Sequence, residues 1–308
     1  MATKIVLTGG SNTALSSALA TMRRELKNRG KKVFSPEDVA AFCRLDLRAR
    51  MAQESAWEQA ADNDEAALLL LPGGAAEDAR EAGALGLTPV AARDRYDGVF
   101  CLADGTDADA RVLDAWVGHP HLRILSADPE SQVEEILALL GIPQPREIER
   151  RFLIRRPDDA RLASLPACRS VEICQTYCRY PDGRRFRLRR RGEGSDVLYY
   201  HTEKTRLSDL TRIEFERRLT PEEYREELFC ADPDRRPIRK TRTCLVWDGM
   251  YWELDRFPFW QKQAILEIEL LREDQPFSLP PFVEVIREIT GDKAYSNSAL
   301  ALAVPPEE

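Results

Sequence analysis

Short, predominantly apolar runs that alternate with helical patterns fill the first half of the chain. Residues 4–8 form such a run, which ends at Gly9 and Gly10, and a helical repeat of apolar residues spans positions 15–26. Further predominantly apolar runs follow at residues 66–71 and 98–102, and a strand is predicted at 122–125. Runs with few polar positions indicate strands that are buried on both faces, and their alternation with helices predicts a parallel sheet between helical layers. Residues 1–141 are therefore predicted to form a three-layer α/β domain.

A different pattern begins after the stiff linker at residues 141–145, whose sequence is Gly-Ile-Pro-Gln-Pro. Apolar and polar positions now alternate with a period of two, which is typical of strands with one buried face. Eight strands are predicted, at residues 147–154, 171–179, 184–191, 198–206, 211–219, 237–246, 250–257 and 264–271. Short connections between them predict an eight-stranded antiparallel β-barrel over residues 146–303. Flanking helices are predicted at 221–230, where Pro221 suits a first turn, and at 281–290.

The polar faces of these strands carry charges whose sign changes from strand to strand. The acidic positions are Glu147, Glu149, Glu214, Glu216, Glu253, Asp255, Glu267 and Glu269. The basic positions are Arg151, Arg187, Arg189, Lys204, Lys240 and Arg242. Such residues would form either the solvated face of a sandwich or the lining of a barrel. Sorting by sign favours a wet lumen that binds a polyanion and divalent metal ions, because an empty lumen would leave costly unpaired charges.

Composition narrows the possible classes of function. The chain has 308 residues, with 45 Lys and Arg against 52 Asp and Glu, for a net charge of −7. Residues 147–308 hold 29 basic and 30 acidic residues, whereas a nucleic-acid-binding domain usually has a basic excess. No apolar run approaches the roughly 20 residues that cross a bilayer. The seven scattered cysteines lack a CxxC pair, which predicts free thiols in a reducing cytoplasm.

Gly9, Gly10 and Ser16 lie where a phosphate-binding loop would open a helix. Counted from Gly9, the GxxxxGK[ST] pattern has Ala14 at its second glycine and Leu15 at its lysine. An apolar side chain cannot replace the cation that reaches the terminal phosphates of a nucleotide. The next buried strand also ends without an aspartate to hold Mg²⁺. The loop is therefore predicted to be degenerate and the domain to be inactive as an ATPase.

Ordered motifs in the second half resemble the CYTH domain of the triphosphate tunnel metalloenzymes. Residues 147–151, Glu-Ile-Glu-Arg-Arg, are similar to the ExExK signature that opens this domain. The resemblance continues through residues 187–189, 203–204, 214–216, 240–242, 253–255, 267–269 and 289–297. Arg151 departs from the signature, which has lysine at that position. Arginine keeps the positive charge but cannot lose its proton near neutral pH.

This resemblance implies hydrolysis of inorganic triphosphate or a small organic triphosphate inside the barrel, assisted by Mg²⁺ or Mn²⁺. It implies a catalytic role for Glu147, Glu149, Arg151 and Lys204. Substrate binding is implied for Arg187, Arg189, Lys204, Lys240 and Arg242. Metal binding is implied for Glu147, Glu149, Glu214, Glu216, Asp255, Glu267 and Glu269. A non-catalytic sensor of polyphosphate or nucleotide, and an adenylate cyclase, remain the alternative functions.

The first half resembles the AAA-type P-loop ATPase domain that precedes CYTH in some bacterial proteins. Residues 7–10, 96–100, 113–121 and 140–143 carry this resemblance. It implies shared ancestry with ATPases, while the degenerate loop at residues 9–16 argues against ATP hydrolysis. The expected partner of the whole chain is a small polyphosphate-containing substrate, without nucleic acid or membrane.

Overall fold

The computed structural model describes residues 3–61, 64, 67–102, 107–125, 132, 134–137, 140, 146–165, 167–206, 211–270 and 272–308. Within these ranges, the side chains of residues 12, 107–109, 146–147, 204–206 and 211–214 lie outside the description. The contacts divide the chain into two compact units, Met1–Ile136 and Leu137–Glu308. In the described part of the chain, no helix is long and apolar enough to span a membrane.

The first unit is built on a five-stranded parallel sheet with the strand order β2-β3-β1-β4-β5. Its strands are β1 (Thr3–Thr8), β2 (Lys32–Phe34), β3 (Ala67–Pro72), β4 (Gly98–Leu102) and β5 (Leu122–Leu125). Its helices are α1 (Asn12–Asn28), α2 (Val39–Cys43), α3 (Leu47–Ala60), α4 (Ala79–Ala84), α5 (Pro89–Arg93) and α6 (Asp107–Trp116), with a 3₁₀ turn at Ala75–Asp78. Every residue of β3 and β4 is buried, as expected for parallel strands covered on both faces. The predicted parallel sheet is confirmed.

The second unit is dominated by a nine-stranded sheet. Its strands are β6 (Arg146–Arg155), β7 (Cys168–Arg179), β8 (Arg185–Glu193), β9 (Asp196–Arg206), β10 (Thr211–Leu219), β11 (Ile238–Trp247), β12 (Met250–Arg256), β13 (Gln263–Leu270) and β14 (Val285–Glu288). The helices are α7 (Asp159–Ala163), α8 (Pro221–Glu227) and α9 (Asn297–Leu300), with 3₁₀ turns at Leu228–Cys230 and Lys293–Tyr295. All eight predicted strands are present.

Strand β6 closes the sheet into a barrel because it has partners on both edges. One edge pairs with β13 along residues 148–155. The other edge pairs with β10 at residues 146–148 and with β14 at residues 152–154. The circuit β6-β10-β9-β8-β7-β11-β12-β13 is antiparallel throughout and returns to β6. The predicted eight-stranded antiparallel barrel is confirmed.

The helix prediction was correct at one position and wrong at another. Helix α8 begins with Pro221, and Thr220 and Glu223 form a reciprocal capping box at its start. The predicted helix at 281–290 is instead irregular chain followed by β14. The edge of β6 beyond residue 148 presents backbone donors and acceptors that β10 does not reach, and β14 satisfies them.

Two apolar clusters fix the barrel from outside and at one end. Phe152, Trp252, Leu254 and Leu266 belong to the outer cluster, which the segment containing Phe277 covers. The end cluster joins Leu153, Ile238, Phe257 and Ile265 from the barrel to Trp260, Ile289, Tyr295, Leu300 and Ala301. The C-terminal segment therefore packs against the strands at this end of the barrel, beside the charged part of the interior.

Candidate active site inside the barrel

Strand register places the sign-sorted charges on a common face. Glu267 lies opposite both Arg151 on β6 and Glu253 on β12, and Arg242 lies opposite Asp255. Directly opposed residues on neighbouring strands point to the same face. The alternate residues form the outer apolar cluster, so these charges line the interior. The solvated-face interpretation is therefore wrong for these strands.

Arg242 is bonded to three carboxylates. Its Nε and Nη2 each donate to Asp255 at 2.7 Å, and Nη2 also donates to Glu267 at 2.6 Å. Nη1 donates to Glu253. Lys240, two residues earlier on β11, donates to Asp255 as well. All five side chains are buried, so one guanidinium and one ammonium offset most of the charge of three acids away from bulk water.

Arg151 joins the site to the segment that packs against the end of the barrel. Its Nε donates to Glu267 at 2.8 Å, while Nη2 donates to the backbone carbonyl of Tyr295 at 3.1 Å. The planar guanidinium makes the two bonds in different directions, and the single ammonium of a lysine has no such fork. With arginine in place of the signature lysine, one side chain therefore links Glu267 in the barrel to the backbone at Tyr295.

A second cluster of charges lies on β8, β9 and β10. Glu216 accepts a hydrogen bond from Thr202 at 2.8 Å and is paired with Arg189, with Arg187 3.7 Å away. Arg189 also lies over the ring of Tyr200, 5.2 Å from its centroid. The Nε of Arg189 is buried and has no hydrogen-bond partner among the described residues. A buried donor left without a partner is costly, so this atom is a natural contact for an anion entering the barrel.

The predicted site residues are brought together in part. Arg151, Lys240, Arg242, Asp255 and Glu267 form one hydrogen-bonded group, and Arg187, Arg189 and Glu216 form another. Glu149 and Glu269 lie directly opposite each other on β6 and β13. Backbone register pairs Glu214 with Lys204 and Glu147 with Arg212, but the side chains of Glu147, Lys204 and Glu214 lie outside the description.

Two residues that take part in these charged clusters, Glu253 and Thr202, were not assigned a role from the sequence. Glu253 shares the face of Asp255, and its contact with Arg242 could have been inferred from that alternation. Thr202 lies two residues before Lys204, on the same face, and links Arg187 to Glu216. A single threonine carries no signal of this kind in a sequence.

The carboxylate oxygens of the lining are suitable ligands for a hard divalent cation, although several of them accept hydrogen bonds from arginine in this structure. Carboxylate oxygens are the ligands that Mg²⁺ and Mn²⁺ prefer. Glu149 and Glu269 place two such groups in direct register on neighbouring strands. No three Asp, Glu, His or Cys side chains of the described residues converge as a metal cage. Asp255 and Glu267 would have to turn from Arg242 to bind an ion.

Burial and charge oppose each other in the pKa values of this cluster. Burial raises the pKa of Glu267, but Arg151 and Arg242 lower it by more, so its pKa lies well below the ordinary value. Burial and the neighbouring Arg242 lower the pKa of Lys240, against the pull of Asp255. For Arg242, three carboxylates outweigh burial and raise the pKa. Glu267 and Arg242 therefore form a charged pair over the whole neutral range.

The glycine loop of the first unit lies against strand β4. Gly9 and Gly10 have φ angles of 78° and 63°, which favour glycine. A Cβ atom on Gly9 would come within 2.8 Å of the Leu102 carbonyl oxygen. Ser11 caps α1 through a hydrogen bond from the Ala14 amide at 3.2 Å. The glycines thus meet a backbone requirement of the turn itself, and Ser16 lies within α1.

Sequence comparison now adds a relative. Over 164 residues the chain is 36% identical to the inorganic triphosphatase of Nitrosomonas europaea, covering 52% of this chain and 99% of that enzyme. The chain belongs to the inorganic triphosphatase family. A crystal structure of an inorganic triphosphatase is 32% identical, covers 52% of this chain and 97% of its own, and has a TM-score of 0.34.

A further solved structure widens the set of similar proteins. It is an adenylyl cyclase candidate from Hippeastrum, described as having a dominant triphosphatase activity. It is 18% identical, covers 40% of this chain and 80% of its own, and has a TM-score of 0.29. No model of a known protein family matches the chain. The assignment to the triphosphatase family therefore rests on the identity to the Nitrosomonas enzyme.

The buried network predicts a pH-dependent loss of stability in the Glu267→Gln variant of this triphosphatase-family protein. At about pH 7 the variant should lose about 3–5 kcal/mol of unfolding free energy, since two buried arginines lose a charged partner. Because the pKa of Glu267 is lowered on folding, its contribution is complete above the ordinary value of 4.5 and declines as pH falls below it. Urea unfolding at about pH 7 and about pH 4 should show the difference from wild type shrinking.

The control for this measurement is Glu284→Gln, because the side chain of Glu284 is 78% exposed. That variant should change the unfolding free energy by less than about 0.5 kcal/mol at either pH. A Glu267→Gln penalty that is absent at neutral pH, or that grows in acid, would contradict the described pairing.

Proposed function

We propose that the barrel unit hydrolyses a triphosphate, either inorganic triphosphate or a small organic triphosphate, with the help of Mg²⁺ or Mn²⁺. The observation that carries this proposal is the buried lining of arginine, lysine and carboxylates inside a closed barrel. Membership of the inorganic triphosphatase family supports the same reaction class. A linear triphosphate has several negative charges along a short chain, which suits cations that project inward from neighbouring strands.

The cations of the lining would bind and orient the phosphate chain. Arg187, Arg189, Lys204, Lys240 and Arg242 are assigned to this role. The buried Nε of Arg189, which has no hydrogen-bond partner among the described residues, is a donor that an anion would satisfy. Guanidinium groups bind phosphate oxygens through two parallel hydrogen bonds, which fixes orientation as well as charge. Holding the substrate in line with its attacking water would supply much of the rate enhancement.

The carboxylates of the lining would hold one or two divalent ions. We assign this role to Glu147, Glu149, Glu214, Glu216, Asp255, Glu267 and Glu269. A bound ion would act as a Lewis acid, neutralising charge on the terminal phosphoryl group and making it more electrophilic. One carboxylate of this set would orient the attacking water. Arg151 would add positive charge beside Glu267, and it cannot act as a proton acceptor near neutral pH.

The setting proposed for this reaction is the cytoplasm, with a small polyphosphate as the partner. All seven cysteines are free thiols, as predicted, which agrees with a reducing compartment. The balanced charge of the barrel half does not suit nucleic acid, which would require a basic excess. The proposal thus concerns a small, soluble polyanion as substrate.

The decisive measurement is a phosphate-release assay on the full chain with inorganic triphosphate, thiamine triphosphate, pyrophosphate and nucleotides. We expect release from inorganic triphosphate or a small organic triphosphate with Mg²⁺ or Mn²⁺, and none above background after chelation with EDTA. Restoring the metal should restore the rate. We expect no cyclic AMP from ATP.

Three results would overturn the proposal. Turnover that persists in EDTA would exclude the metal role. Absence of turnover on every substrate, combined with a rise in melting temperature on adding triphosphate, would assign the barrel to a non-catalytic sensor. Accumulation of cyclic AMP from ATP would make the protein a cyclase.

For the first unit we propose a degenerate P-loop domain that neither binds nor hydrolyses ATP. The support is Leu15 at the position of the motif's lysine, together with glycines whose conformation the turn itself requires. In this proposal the degenerate P-loop domain comprises residues 1–141 and the barrel domain comprises residues 146–303.

ATP binding to this unit can be measured by titration calorimetry on the full chain with the barrel first saturated by triphosphate. We expect no saturable binding of Mg-ATP. The matched variant is Leu15→Lys, which places a cation at the lysine position of the motif. Because the Leu15 side chain is buried, the variant is first shown to be folded by circular dichroism. Micromolar affinity for ATP in the wild-type chain would show that the loop is functional.

A further inference from the structure

We infer that Arg242 makes metal binding and polyphosphate binding depend on each other, by occupying the carboxylates until both ligands arrive. This inference rests on the proposed function, since it concerns the same lining. It assigns Arg242 a second role beyond contact with phosphate. In that role the guanidinium is a tethered cation, which holds the acidic cluster until a divalent ion replaces it.

The geometry that supports this role is the convergence of three acids on one side chain. Glu253, Asp255 and Glu267 come from two strands, and all three bond to the Arg242 guanidinium. Glu253 and Glu267 lie directly opposite each other, so their like charges require a cation between them. Arg242 supplies that cation from the chain itself. A divalent ion that used these oxygens would have to displace it.

Three other cations of the lining are also paired with carboxylates. Lys240 is bonded to Asp255, Arg151 to Glu267, and Arg189 to Glu216. The groups that would bind phosphate are therefore engaged with groups that would bind metal. Loading either ligand requires some of these pairs to separate.

The energetic consequence follows from burial. A metal ion bound alone takes carboxylates from Arg242 and leaves a buried guanidinium without compensation. A polyphosphate bound alone takes the guanidinium and leaves buried carboxylates facing each other. When both bind, the ion satisfies the carboxylates and the phosphate satisfies the arginine, so neither penalty remains. Each ligand thus raises the affinity for the other by the same factor, as linkage requires.

Calorimetry on the full chain can measure this coupling with Mg²⁺ alone, with a methylene-bridged triphosphate analogue alone, and with both. The analogue cannot be hydrolysed, so binding is read without turnover. In the wild-type chain we expect each ligand to tighten the other by about tenfold or more, within the usual range of coupling factors. Direct contact between metal and phosphate would also produce coupling, so a variant must identify the part that Arg242 contributes.

Arg242→Met provides that variant, because it removes the tethered cation while keeping a long side chain. We expect Mg²⁺ alone to bind about fivefold more tightly than to wild type, the analogue to bind more weakly, and the coupling factor to fall. Arg242→Lys, whose ammonium has fewer donors, should lie between wild type and Arg242→Met. The matched control is Arg150→Met. Arg150 donates hydrogen bonds of 2.6 and 2.8 Å to Glu288, and this pair does not belong to the lining. Its Mg²⁺ affinity should equal that of wild type.

The inference is overturned if Arg242→Met, shown to be folded by circular dichroism, binds Mg²⁺ alone no better than wild type. In that case Arg242 is only a phosphate contact. If Arg242→Met is unfolded, the same criterion applies to Arg242→Lys. Phosphate release by the wild-type chain separates this result from failure of the proposed function, because turnover with unchanged Mg²⁺ affinity contradicts the coupling alone.

Discussion

Charges enclosed in a barrel must be neutralised by one another or by a ligand, and this requirement governs the second unit. Three cations, Arg242, Lys240 and Arg151, satisfy it by pairing with three acids, Glu253, Asp255 and Glu267, across strands β6, β11, β12 and β13. Removing one partner would leave a buried charge, at a cost of about 3–5 kcal/mol. The groups that complete the fold are also the proposed contacts of a polyanion and its metal ions. In this proposal, stability and binding draw on one set of side chains.

The rest of the barrel maintains this arrangement. Alternation along each strand sends apolar residues such as Trp252 and Leu254 outward, where they pack into a continuous cluster. The register between β6 and β13 sets Arg151 against Glu267. The bond from Arg151 to the Tyr295 carbonyl then ties this pair to the C-terminal segment. Packing at the end of the barrel and charge pairing in its interior are thus connected through one guanidinium.

Strand periodicity was sufficient to predict most of the barrel and much of its lining. The prediction for 211–219 coincides with β10, and the sign-sorted faces correctly grouped Lys240 and Arg242 with Asp255. Strand β14 was not predicted, because its formation depends on a free edge of β6, which is a tertiary property. The contact of Arg151 with Tyr295 joins residues far apart in sequence, and no local pattern encodes it. In the first unit, the sheet was predictable from buried runs, whereas the degenerate character of its loop stays a prediction.

Two neighbouring residues of β11 test most directly whether the proposed catalysis takes place on the inner face of the barrel strands. Lys240 is buried and bonded to Asp255, whereas Arg239, the preceding residue, is exposed. We compare kcat/KM for triphosphate hydrolysis in Lys240→Met and Arg239→Met. We expect a loss on the order of 100-fold for Lys240→Met, comparable to removal of one charge-stabilising donor. We expect no change for Arg239→Met, and equal effects of the two substitutions would contradict catalysis on the inner face.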